Sequence, residues 1–312
     1  MEKEAEGGQV HGFFTVRVTC GSAESEERFK SLIQDTVSSL HNREVQLKFQ
    51  AAEGGMLEAV VEDRLDKDSG QDHPERLIDL LSLGIAKYIV GVKEEEIAAR
   101  VMKRDYSFES REEGLQVQRM VDRLLAEGTE SGSSREERQS LVQEALREYL
   151  RVSGDLHLDG FAMFRLKAFE DKLREIVDFA VDEYLLDKQY EEFIGLLQYF
   201  VYFQEPLTPL VHLMHKHGHE FAILNEQFTP VHVPASGGVV ARIADQEMQM
   251  EDVIVSTLIS LSPDKILIHT QDPDAQVITT ISRIFGDRVE LCLLCPHCKP
   301  FHQEFRRLDQ GR

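Results

Sequence analysis

An α+β fold, a mixed α/β chain in three parts, is what this sequence predicts, and three observations carry that expectation. In the N-terminal third, short β-branched and aromatic runs alternate with helical stripes. The middle is dominated by long amphipathic periods. The last third contains strand, helix and strand in the compact order of a βαβ-containing unit. Residues 1–106 are accordingly expected to form a small N-terminal α+β domain and residues 107–205 a helical region. Residues 206–312 make a C-terminal α/β unit ending in a cysteine cluster.

Taken in order, Phe13 to Thr19 (FFTVRVT) reads as a strand, and Phe29, Leu32, Ile33, Val37 and Leu40 then recur at helical spacing. Val45 to Ala51 and Met56 to Val61 are two further strands joined by a Gly54-Gly55 turn. A polar loop ends at Pro74, a residue suited to the first turn of a helix that runs to about Gly91. Ile97 to Tyr106 is read as helix. Ser110-x-x-Glu113 and Ser134-x-x-Glu137 have the pattern of capping boxes, on either side of a linker running from Gly128 to Ser134.

The stretch from Asp159 to Phe203 holds 11 of the 24 Phe and Tyr residues, in a chain without Trp. Phe161, Phe164, Phe169, Leu173, Ile176, Val177 and Tyr184 trace one helical stripe, with Asp159 as its cap. Tyr190, Phe193, Ile194, Leu197, Phe200 and Val201 trace a second. These stripes predict a long antiparallel helix pair joined near Asp187-Lys188, with most of the rings in its core. Beyond it, Val211 to Met214 and Phe221 to Leu224 form a hairpin, and Pro234 to Gly238 a loop. Val253 to Leu261 is helical, Lys265 to His269 a strand, Gln276 to Phe285 a helix stopped by Gly286, and Val289 to Leu294 the last strand. No Gly-rich turn follows Lys265, so a phosphate-binding fingerprint is missing.

Composition narrows the function classes. A net charge of −21 repels phosphate backbones and anionic lipid, which argues against nucleic-acid partners. The opening MEKEAEGGQV lacks the basic and apolar regions of an export signal. The apolar runs Leu77 to Val92 and Phe193 to Phe203 are interrupted or too short for membrane insertion. The expectation is a cytoplasmic protein whose four cysteines are reduced thiols or metal ligands.

The string DGFAMFRLKAFEDKLREIVDFAVDEYL, followed by YEEFIGLLQYFV, resembles the YtxC-like family of sporulation proteins from endospore-forming bacteria. The resemblance is sharpest over Leu156 to Val201 and extends more loosely through the C-terminal strands. It implies a soluble intracellular protein tied to spore formation, without an established biochemical activity or assigned site residues. Its signature positions here are Phe161, Phe164, Arg165, Tyr190, Glu192 and Phe193. Arg165, with Phe161 and Phe164, is a candidate contact: a guanidinium in an aromatic stripe stacks on rings, pairs with a carboxylate or meets an anionic ligand. Among so many acids, a salt bridge is the expectation.

Chemistry is suggested chiefly by Cys292, Cys295, Cys298 and His302, which read C-x2-C-x2-C-x3-H. Thiolates so spaced can converge on zinc or on an iron–sulfur cluster, and His269, ending the neighbouring strand, can approach the same edge. Cys295-Pro-His-Cys298 also copies a thiol–disulfide tetrapeptide, but too little chain follows it to build a thioredoxin fold. His212, His215, His217 and His219, followed by Glu220, are a second metal candidate on a hairpin. Asp272 and Asp274 stand where α/β sheets often place ligands. G-x-S-x-G, P-loop and H-E-x-x-H patterns are missing from the sequence. The favoured function is therefore non-enzymatic, through a protein partner. A metal-binding or redox-responsive protein is the alternative, and a hydrolase or nuclease-like enzyme the weaker one.

Overall fold

The computed structural model describes residues 12–38, 45–63, 73–127, 134–215, 221–231 and 246–299. The stretch from Gly128 to Ser133, the loop at Pro234 to Gly238, and His217, His219, Glu220 and His302 lie outside the described residues. The chain divides into two compact units, Met1–Leu185 and Leu186–Arg312.

In the first unit, strand β1 (Gly12–Val18), helix α1 (Ala23–Ser38), strands β2 (Val45–Ala52) and β3 (Met56–Asp63) and helix α2 (His73–Tyr88) follow one another as the periodicity predicts. Gly54 and Gly55, at φ 74° and 75°, make the turn between β2 and β3, a conformation that a side chain would strain. A short strand β4 (Asp155–His157) pairs in parallel with β1 and completes a sheet ordered β2-β3-β1-β4. Alternation on β1 and β3 sends Val16, Val18, Ala59 and Val61 inward, where Phe29 and Ile33 of α1 and Leu77 and Leu81 of α2 cover them. Burying each large aliphatic side chain contributes about 1.5–3 kcal/mol.

Past α2 the chain makes one π-helical turn, Ile89–Lys93, and runs straight into α3 (Glu94–Asp105). Helices α4 (Arg111–Glu127) and α5 (Arg135–Val152) open on the two serines expected to cap them. Ser134 accepts from the Glu137 amide at 3.1 Å and Ser110 from the Glu113 amide at 3.2 Å. The Glu113 carboxylate accepts from the Glu109 amide, one residue before its expected partner.

The antiparallel helix pair expected of the aromatic block is corrected. Helix α6 (Leu158–Phe164) ends at Arg165, and α7 (Lys167–Phe203) then runs unbroken for 37 residues through Asp187-Lys188. Nothing at Asp187-Lys188 breaks a helix, since neither Pro nor Gly stands there and the neighbours are good helix formers. Asp159 is not the cap either. His157 Nδ1 accepts from the Gly160 amide at 3.2 Å, while Asp159 accepts from the Thr19 amide at 2.8 Å and from Lys93 Nζ at 3.3 Å. The helix starts two residues earlier than expected, which frees this carboxylate for a tertiary contact.

In the second unit, β5 (Thr208–His215) and β6 (Phe221–Leu224) form the expected antiparallel hairpin. Helix α8 (Gln246–Leu261) leads to β7 (Pro263–His269), and α9 (Gln276–Phe285) to β8 (Val289–Cys292). The sheet order is β6-β5-β7-β8, with β5, β7 and β8 parallel, so the βαβ expectation holds. Val211, Leu213, Ile266 and Ile268 of the strands form its core with Ile278, Ile281 and Phe285 of α9 and Leu258 of α8. Ile194, Leu197 and Val201 of α7 pack on the same core. Among the described residues, no helix is long and apolar enough to cross a membrane.

Candidate metal centre and exposed helix face

The cysteine cluster forms where two parallel strands end together. His269, last in β7, is the direct register partner of Cys292, last in β8. Partners in register on adjacent strands point to the same face, so the imidazole and the first thiol are neighbours by construction. The chain then turns at Leu293-Leu294 and brings Cys295 and Cys298 back over that edge. The ligating atoms of His269, Cys292, Cys295 and Cys298 all lie within 4.8 Å of one another.

Three of the four donors are held by further contacts. Cys298 Sγ accepts from the Cys295 amide at 3.0 Å, and Cys295 Sγ from the Cys298 amide at 3.4 Å. Cys295 Sγ stands 3.6 Å from His269 Nδ1. The other ring nitrogen of His269, Nε2, meets His212 Nδ1 on β5 at 3.1 Å. Phe228 stacks on the His212 ring at 4.0 Å and, on its other face, on His297 at 4.4 Å. His269 and Cys298 are fully buried, and Cys292 and Cys295 half-buried.

The electrostatics of the thiols are uneven. Burial and the neighbouring sulfurs push the Cys292 thiol up to about 12. Burial also raises Cys298. At Cys295 burial acts the same way, but amide donors from Cys298 and His297 outweigh it and hold that thiol below its usual value. Three thiolates side by side repel one another unless a cation sits between them, and a bound cation reverses this trend. Burial, with repulsion from His297, lowers His212 and so favours its neutral form.

The other candidates are distributed differently. Within the described residues the fourth donor near the three thiols is His269, while His302 lies outside them. His215 is buried, bonds Thr270 Oγ1 at 2.7 Å and stacks on Phe221. Asp272 and Asp274 are exposed and His269 is buried, so the structure does not gather them into one polar pocket. By sequence His212 belongs with the hairpin histidines; its place beside His269 follows from the pairing of β5 with β7.

Around the break between α6 and α7, Phe161 is buried edge-to-face on Tyr149 at 5.3 Å, while Phe164 is 74% exposed. Arg165 is exposed, and the expected salt bridge is corrected: among the described residues its guanidinium has no carboxylate partner. The break turns its side chain to solvent instead of into the stripe.

The expectation that most rings of the block are core is also overturned. Phe161 and Phe169 are buried and Tyr184 is half-buried, but the other eight rings are exposed. Six of these eight, from Tyr190 to Phe203, lie on the last turns of α7. Only the aliphatic positions Ile194, Leu197 and Val201 turn toward the sheet. Both stripes satisfy a helical period, and the sheet takes the branched aliphatic one, leaving the rings beside it in water. Tyr190 is anchored at the flank, bonded to Thr280 at 3.0 Å and covered by the Arg283 guanidinium, which pairs with Glu191.

A family model described as the YtxC-like family matches residues 79–290, ending two residues before Cys292. The Uncharacterized protein YtxC of Bacillus subtilis (strain 168) is 23% identical over 210 residues, covering 66% of this chain and 74% of that protein. No solved structure matches.

Proposed function

This chain belongs to the YtxC-like family, and on that premise we propose that it is a non-enzymatic, sporulation-associated cytoplasmic protein that acts by binding another protein. The observation that carries the reading is the unburied aromatic face of α7: Phe193, Leu196, Tyr199, Phe200 and Phe203 are each more than half exposed. Contiguous apolar faces of this kind are rare on free monomers and mark contact surfaces, where Tyr and Phe supply most of the binding energy.

Glu192, one turn before Leu196 and two before Tyr199 on α7, shares this face, in a chain of net charge −21. The partner that fits is a protein offering an apolar groove or helix flanked by Lys and Arg. Phe164 and Arg165, a signature pair exposed at the end of α6, are a separate contact point in the first unit.

The test is affinity capture from sporulating cells with the wild-type chain and with Phe193→Asp/Phe200→Asp, each checked for folding by circular dichroism. The wild type should retain a basic-flanked partner that the folded variant releases, and raised salt should weaken the capture. Equal recovery by both proteins would sink the reading.

A further inference from the structure

We propose that His269, Cys292, Cys295 and Cys298 bind one zinc ion in a closed Cys3His site, with His269 ligating through Nδ1 and His212 holding its ring. This reaches beyond the partner-binding reading and stands on separate residues.

Distance is the first argument. Around a tetrahedral zinc with ordinary bond lengths, sulfurs stand about 3.8 Å apart and a sulfur and a nitrogen about 3.6 Å. Cys295 Sγ and His269 Nδ1 already stand at 3.6 Å. Since no pair of donors exceeds 4.8 Å, the widest has to close by only about 1 Å. A cubane iron–sulfur cluster gives each cysteine a different iron, which requires donors farther apart than a single ion does. The gathering fits one ion. Soft thiolates with one imidazole select zinc over magnesium or calcium.

The surroundings match the donors. A ligating imidazole offers one nitrogen to the metal and donates its other N–H to a partner that fixes ring and tautomer. Here His269 Nε2 meets His212 Nδ1, buried and stacked on Phe228, while Nδ1 faces the Cys295 sulfur, so a metal on Nδ1 would leave the Nε2–H to donate to His212. Amides of Cys295 and Cys298 donate to the opposite sulfurs, favouring the thiolate form that a metal needs. Binding three thiols releases three protons to solvent and joins β7, β8 and the following turn. Four protein donors leave no open position, so the site is structural rather than catalytic.

The experiment is metal analysis of the full chain purified without chelator under reducing conditions, followed by removal of the metal and titration with Zn²⁺ and Co²⁺. One zinc per chain is expected. The Co²⁺ form should show intense thiolate-to-metal charge transfer and the strong visible bands of a tetrahedral site. Cys295→Ser and His269→Ala should lose stoichiometric zinc, while Cys20→Ser keeps it. His212→Ala, with every ligand retained, should weaken zinc binding roughly 10–100-fold.

Absence of stoichiometric zinc, or a Co²⁺ spectrum without thiolate charge transfer in the wild type, overturns the proposal even if the ligand variants fail to fold. Loss of zinc in His302→Ala with retention in His269→Ala overturns the assignment of the fourth ligand. Unchanged affinity in His212→Ala overturns the positioning role.

Discussion

In the first unit, the buried guanidinium of Arg138 meets both carboxylate oxygens of Glu94, at 2.7 and 3.1 Å, and the Leu125 carbonyl at 2.9 Å. In the second, three thiols and an imidazole crowd the ends of two strands with no opposite charge among those four donors. The same contrast runs along α7. Its early turns bury Phe169, Leu173, Ile176, Val177 and Ala180, while its last turns leave six rings exposed. Among the described residues, the first unit pairs this buried charge internally. The second gathers metal-ligand side chains at one strand edge and leaves a row of rings exposed on its part of α7.

The sharpest way to break this contrast is at Arg138. Arg138→Ala leaves Glu94 buried without its counter-charge, and the first unit should lose about 3–5 kcal/mol. Glu94→Gln combined with Arg138→Met should recover much of that loss, because no charge is then left buried. Hydrogen exchange on α3 and α5 peptides reads both, and a small loss in Arg138→Ala would show that water or other groups already satisfy the pair.

Next in size is Leu173→Ala, which opens a cavity under the early turns of α7 and should cost about 2–5 kcal/mol. Exchange protection of the α7 peptide before Leu185 is the measurement. A loss below about 1 kcal/mol would mean that this half of the helix is not the core element described here.

A smaller, pH-dependent effect belongs to Asp159. Its burial favours the neutral acid, but donors from Thr19 and the Lys93 ammonium outweigh burial and lower its pKa. A carboxylate lowered on folding contributes stability above its unfolded value, about 3.9. That contribution is lost as pH falls through the lower folded value. Asp159→Asn should therefore be less stable than wild type at neutral pH, and the two should converge as pH drops below about 4. Parallel curves throughout would refute the tie to Thr19 and Lys93.

Local patterns carried most of the fold in readable form. The Gly54-Gly55 turn, the Ser110 and Ser134 caps and the C-terminal strand-helix-strand order are each set by neighbours in sequence, and each is found. What local patterns cannot hold is which of two equivalent stripes faces inward. On the last turns of α7, Ile194, Leu197 and Val201 share a helical period with Phe193 and Phe200, and only the sheet decides between them. Strand β4 was hidden for a similar reason, since three residues show too little alternation to read. The thiols of the candidate site were legible by spacing and His269 by its place at a strand end. The contact of His212 with His269 depends on how β5 pairs with β7, which no spacing records.

The smallest expected change in stability tests the other half of α7 and says most about function. Phe200 is 52% exposed, so Phe200→Ala removes little buried surface and should shift folding by no more than about 0.5 kcal/mol. If the ring is an anchor for a partner, the same truncation should cost about 2 kcal/mol of binding, roughly a thirtyfold loss of affinity. Ile194→Ala on the opposite face gives the converse pattern, a destabilised second unit with little direct effect on association. Binding that survives Phe200→Ala unchanged would make the exposed rings bystanders. A stability loss matching that of Ile194→Ala would show that they are covered from within the chain, and the contrast between the two halves of the helix would disappear.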